Sequence, residues 1–406
     1  MLGLGLVHAA IGAAIAAGDT TVQASFMARA GSERLFIVLL CNALLSPLVA
    51  MAFARAVGRR TSRMTMVAAC TFGVATSACG LGMLVVAGDR PEWAIAAYVA
   101  HELASTIVTV HWGVYLLSHL GGGAAVRGVA VVYAASRAGA ALAGLAIGPL
   151  VGVGGTASGL ALAAACFVGA GLIALRTRRD QRTSLDSVPP APSEERATAG
   201  AWRLMVRSPL LRAIALATAA MVLTRVLLRF QQQTVLESHR EQALAGMLGL
   251  YAAAANVVGV VLQLGLVGRL LARLGLTRAN LLYAGATVLA QLSLAGAAAV
   301  PAALGARFVD GELKDAIKTP LSSLFYEAFP RGERAHARAA ILSAVSPAAN
   351  LVGAAALATL GALHSPIAST AAGGAVCVAF VLSTLLQNRR YEAAIRRGSL
   401  GAAPDA

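Results

Sequence analysis

The chain has 406 residues, of which 58% are hydrophobic and 13% charged, and its mean hydropathy is +0.73. That balance excludes a soluble globular domain of any size and fits a polytopic membrane protein. A net charge of +15 would point to nucleic acid in a soluble protein, but here the arginines fall between apolar stretches and report orientation across a bilayer.

Crossing a hydrocarbon core takes about 20 helical residues. Stretches of that kind are predicted at 3–27, 33–54, 64–87, 92–118, 128–150, 155–176, 208–231, 243–268, 279–300, 302–327, 339–361 and 366–387, about twelve spans. The first span is read as retained in the protein, because Asp19 carries its helix on into polar residues. It bears His8 and Asp19, eleven residues and so about 20° apart around a helix, with Gln23 one turn beyond. Span four carries Glu102, Ser105, Thr106 and Thr109 at helical spacing, flanked by His101 and His111.

After span six the hydrophobicity collapses into TRRDQRTSLDSVPPAPSEERATAG, which reads as a cytoplasmic linker. The expected organisation is therefore a six-helix bundle at 1–176, a linker at 177–207, a second six-helix bundle at 208–388 and a basic tail at 389–406. Span seven opens the second bundle and places Arg225 and Arg229 one turn apart, then Gln232 and Gln233.

Span ten, within GARFVDGELKDAIKTPLSSLFY, holds both lysines of the chain, Lys314 and Lys318, and every other basic residue is arginine. Where arginine has replaced every exchangeable lysine, two retained ammonium groups mark positions at which a compact charge is not equivalent to a guanidinium. On an α-helical wheel Arg307, Asp310, Lys314, Asp315 and Lys318 fall within an arc of about 140°, with Glu312 toward the other side.

Arginine clusters follow spans two, six, eight, ten and twelve, whereas GDRPEW and GALHSP on the opposite side are nearly bare. The positive-inside rule then places both termini in the cytoplasm, in an inner (cell) membrane. Cys41, Cys70, Cys79, Cys166 and Cys377 all lie within spans, with no paired or metal-ligand spacing. No metal or cofactor signature is present: there is no phosphate-cradling glycine loop, no nucleophile elbow and no His-Glu-x-x-His.

The two halves echo each other. Asn42, Arg55 and Arg59 recur as Asn256, Arg269 and Arg273, YVAHEL at 98–103 recurs as FVDGEL at 308–313, and Tyr115 and Arg127 recur as Tyr326 and Arg338. Internal duplication of this kind is a hallmark of transporters. The stretch GRLLARLGLTR, with Ala272 where an aspartate is usual, resembles the loop between the second and third spans of each half in the major facilitator superfamily. The resemblance extends to the plan of the whole chain and implies that spans one, four, seven and ten line a central cavity. Those four spans hold most of the embedded charge.

A closer resemblance lies in span ten. Lys314, Pro320, Tyr326 and the run Arg338-Ala339-Ala340 are similar in spacing to the C-terminal half of the ATP/ADP antiporter family, which implies that Lys314 contacts nucleotide phosphates. Asp19-Thr20 also resembles that family, with Gly18 standing where a lysine precedes the aspartate and Ser322-Ser323 where it has a Lys-Glu pair.

The fold class expected is an all-α polytopic membrane protein of two pseudo-symmetric bundles. The function expected is a secondary transporter, not an enzyme, that moves a small anionic or zwitterionic, nucleotide-like solute by alternating access through a lipid bilayer. Its substrate contacts would be Lys314, Lys318, Arg225, Arg229, Asp310, Glu312 and Asp315, with Asp19, Glu102 and His101 in coupling or gating. The runner-up is proton-driven drug or metabolite efflux in which Asp19 or Glu102 carries the proton, and an intramembrane enzyme or lipid-handling protein stands behind both. Duller roles are open as well: His8 and His111 as packed histidines, Arg225 and Arg229 snorkelling to an interface, and Asp19 and Glu102 as gating partners of the arginines.

Overall fold

The computed structural model describes residues 2–57, 61–86, 90–119, 125–177, 203–262 and 267–401. Most of the linker, including Pro189, lies outside them, as do Arg59 and the side chain of Arg127.

The described chain is built of helices in the predicted order. The first half contributes α1 (Leu2–Arg29), α2 (Leu35–Val57), α3 (Ser62–Val86), α4 (Pro91–His119), α5 (Ala125–Gly154) and α6 (Ser158–Arg176). The second contributes α7 (Pro209–Leu236), α8 (Glu241–Val261) and α9 (Val267–Gly296). Next, α10 runs in three continuous parts, Val300–Phe308, a π-helical Val309–Lys318, and Thr319–Phe325. A similar π segment, Ile341–Val345, joins Arg331–Ala340 to Ser346–Leu363 in α11, and α12 is Pro366–Gly401. Among the described residues eleven helices are long and apolar enough to cross a membrane. The exception is α10, whose charges break the apolar window.

Two details depart from the predicted elements. The loop expected around GRLLARLGLTR is a helix interrupted at Gly275, which takes φ 70° and ψ 175°, a left-handed conformation that a side chain disfavours. The tail after Asn388 continues α12 as helix, and Tyr391 packs edge-on against Phe325 with ring centroids 5.0 Å apart, in a cluster with Leu211, Ile214 and Ile341.

The helices group into two compact units. The first holds α1–α6 together with α8, and the second holds α7 and α9–α12. In the first unit α1 packs most extensively on α5 and α6, and α8 lies against α5 and α1. Lipid offers no hydrophobic drive between helices, so these contacts depend on small residues that let backbones close in. A Cβ added at Gly12 would meet the Ser136 backbone, and one at Gly144 would stand 2.5 Å from the Gly249 carbonyl of α8. The apolar core of this unit gathers Ile11, Met66, Trp112 and Phe167. On its outside, α2 exposes Leu44 and Leu48, as a lipid-facing helix does.

Candidate functional site

Each unit carries a polar pair between two of its helices, α1 and α4 in the first and α7 and α10 in the second. In the first unit Asp19 of α1 faces His101 of α4, with Oδ1 3.2 Å from Nε2. Ser105, one turn along α4, stands 3.3 Å from the same nitrogen. The His101 side chain is 1% exposed and that of Asp19 37%, so the imidazole is the buried member and the carboxylate faces open space. Gly18 makes this possible, because a Cβ there would collide with the His101 ring. The lysine found at that place in the ATP/ADP antiporter family would be excluded by the same ring. Glu102 follows His101 and is half-buried.

The other histidines of these spans are packing groups. His8 stacks on Trp112 at 4.2 Å, touches Tyr133 edge-on at 4.9 Å, and has Nδ1 3.0 Å from the Val132 carbonyl. His111 sets its Nδ1 2.9 Å from the Ile107 carbonyl and its ring edge against Phe53.

In the second unit the pairing is more strongly charged. Arg225 of α7 donates its Nε to Asp310 Oδ1 at 2.5 Å, with side chains 32% and 13% exposed. Lys314 does not share that carboxylate; its Nζ lies 3.0 Å from Asp315 Oδ1, with 21% and 54% exposed. A pair with one member this exposed is weak and exchangeable, which leaves the ammonium available to a better anion. Cβ atoms added at Gly305 or Gly311 meet nothing within 4 Å, so α10 has an open side next to Asp310 and Glu312. Arg229, one turn from Arg225, Glu312 and Arg307 are half-buried on the same two helices.

Lys318 stands apart from this group. It is 4% exposed, donates its Nζ to Asn280 Oδ1 at 2.7 Å, and lies 5.9 Å from the centre of the Phe380 ring. Asn280 donates to Asn388 Oδ1 at 3.0 Å, and Asn388 donates to the Thr277 carbonyl at 2.8 Å. The π-helical segment explains the divergence. In an α-helix the residue four positions on passes a full turn, whereas in the wider π-helix it falls short of one, so Lys318 swings into the packing of α9 and α12.

Two charged groups escaped sequence reading. Arg137 sits half-buried in the middle of α5, on the helix face that also carries Gly144 and Gly148. Arg29 at the end of α1 forms a two-bond pair with Glu241 at the start of α8, Nε to Oε2 and Nη2 to Oε1 both at 3.1 Å, and Ser25 donates to Oε1 at 2.6 Å. Beside that pair a cavity of about 540 Å³ is lined by Thr156, Arg240 and Gln242 among others. Nothing in the local sequence of Arg29 or Glu241 joins the two.

No family model matches the chain, and no curated protein matches it in sequence. Solved structures do match. A form of the nucleoside transporter NupG is 13% identical over 97% of this chain and 99% of that one, with a TM-score of 0.63. A POT family transporter in complex with 5-aminolevulinic acid is 12% identical over 95% of each chain, with a TM-score of 0.64. A bacterial homolog of the human lysosomal transporter Spinster, inward-facing and unoccupied, is 14% identical over 100% and 98%, with a TM-score of 0.53. At such identities the likeness is one of fold.

Proposed function

From a chain with the major facilitator fold and its charge gathered on facing helices, we propose a secondary transporter that moves a small anionic or zwitterionic solute by alternating access. The observation that carries this reading is the charged stripe of α7 and α10, where Arg225–Asp310 and Lys314–Asp315 occupy otherwise apolar spans. Charges in lipid-embedded helices cost at least a few kcal/mol each and are retained where they line a wet or paired interior. Arg225 and Asp310 satisfy each other and form a fixed dipole, while Lys314 has a replaceable partner. An anion can therefore exchange for Asp315 on Lys314, and the remaining carboxylates favour solutes that also carry a positive group.

The neighbours in fold are a nucleoside transporter, a POT family transporter and a Spinster homolog, which supports transport as the class of activity. The arginine distribution supports an inner-membrane setting with both termini cytoplasmic. Reporter fusions near Pro189 and after Asn388 should read as cytoplasmic, and fusions at His239 and His364 as external. The function itself is tested by sealed proteoliposomes offered a panel of organic anions, zwitterions and lipophilic cations. Accumulation or exchange of an anion or zwitterion is expected; uptake restricted to cations, or no uptake by folded protein, would refute the reading.

The second reading, proton-driven efflux, is favoured by one observation, the Asp19–His101 pair. A carboxylate and an imidazole are side-chain types that can serve as proton carriers, unlike the arginines of the other unit. Under that reading Asp19→Asn and His101→Gln each remove the dependence of flux on a pH gradient while leaving solute exchange intact.

A further inference from the structure

The α7 stripe that begins with Arg225 and Arg229 continues to Gln232, at the i, i+4 and i+7 positions of one face. Gln232 and its neighbour Gln233 are 2% and 1% exposed. Three of their amide atoms, Oε1 of Gln232 and both Oε1 and Nε2 of Gln233, have no hydrogen-bond partner among the described residues. Gln231 is partly satisfied: its Oε1 also lacks a partner among the described residues, but its Nε2 donates to the Ser369 carbonyl at 2.7 Å. Buried carboxamides with unmet donors and acceptors are costly where neither the apolar interior nor lipid supplies a partner.

We propose that Gln232 and Gln233 form a neutral hydrogen-bonding subsite for the hydroxyl groups of the solute, whose charged end is read at Arg225, Asp310 and Lys314. Resting on the anion-transport reading, this narrows the solute class to polyhydroxylated organic anions such as sugar phosphates. A hydroxyl is donor and acceptor at once, which matches two free amide oxygens beside a free amide N–H. Seven helical residues separate Arg225 from Gln232, about 10 Å of rise, a span within the reach of a phosphorylated sugar. The order along the helix, guanidinium first and carboxamides beyond, sets which end of the solute meets which group.

The test uses purified full-length protein and its thermal unfolding, with inorganic phosphate and glucose 6-phosphate as probes, since a ligand of the folded state raises the melting temperature. In the wild type both should protect, the sugar phosphate at lower concentration. In Gln232→Leu with Gln233→Leu the ligand-free melting temperature should hold or rise. Phosphate protection should be unchanged in that variant, and the glucose 6-phosphate affinity should fall roughly tenfold or more. A lower ligand-free melting temperature, or equal loss of both ligands, would make the glutamines structural and overturn the subsite. Wild-type protein protected by phosphate and not better by glucose 6-phosphate overturns it as well. Protection by neither probe removes the anion reading beneath it.

Discussion

In both units two helices meet through one polar pair, yet the chemistry of the two pairs differs. Asp19 and His101 join α1 to α4, while Arg225 and Asp310 join α7 to α10, in the segments related by the YVAHEL and FVDGEL echo. The first pair buries an imidazole against a half-exposed carboxylate. The second sets a permanently charged guanidinium against a carboxylate and has a lysine with a replaceable partner one turn along. The polar contact thus differs in character between the two units, an imidazole–carboxylate pair in one and a guanidinium–carboxylate pair beside a lysine in the other.

The strongest way to break this comparison is to strand a charge. Asp310→Ala leaves the Arg225 guanidinium without its carboxylate and should destabilise the protein by roughly 2–3 kcal/mol, less than for a fully buried pair because Arg225 is 32% exposed. Replacing both residues with methionine should recover most of the melting temperature. If the single change is silent in thermal unfolding, the pair does not join the helices.

Glycine substitutions sharpen the contrast between the units. Gly18→Ala puts a methyl into the His101 ring and should cost about 1–3 kcal/mol. Gly311→Ala, whose Cβ meets nothing within 4 Å, should be neutral or stabilise the helix by up to about 1 kcal/mol. Equal effects of the two in a melting assay would contradict the packing assigned to His101.

A smaller effect is expected at Lys318, whose ammonium has Asn280 as its hydrogen-bond partner and no carboxylate opposite it among the described residues. Lys318→Met removes a buried cation and keeps the stem, so the melting temperature should hold or rise, with anion binding unaffected. Loss of anion binding in a stable Lys318→Met protein would return that lysine to the substrate site.

These cases also show what a sequence can and cannot carry. The twelve spans were legible because a membrane helix declares itself by an uninterrupted apolar run, and most of the polar residues that matter stand out against it. Arg137 was missed for the same reason, since one charge inside a long apolar run leaves the window hydrophobic. The helical wheel grouped Lys318 with Lys314, and the π-helical stretch of α10 undid that grouping, because backbone widening leaves no mark in composition. Arg29 and Glu241 each close or open a helix and meet through tertiary packing, which spacing along the chain does not encode. The helical extension of α12 past Asn388 depends on Tyr391 finding Phe325, again a contact between distant segments.

The most direct test of the central claim, that the α7–α10 stripe reads an anion through Lys314, is exchange in sealed proteoliposomes preloaded with a mixture of phosphorylated and carboxylated metabolites. Wild type should exchange at least one anion. Lys314→Ala should lose that exchange with a folding stability within about 0.5 kcal/mol of wild type, because its partner Asp315 is 54% exposed. Lys314→Arg should rescue it poorly, because a planar fork does not replace a point charge. Undiminished anion exchange by folded Lys314→Ala protein would contradict the account.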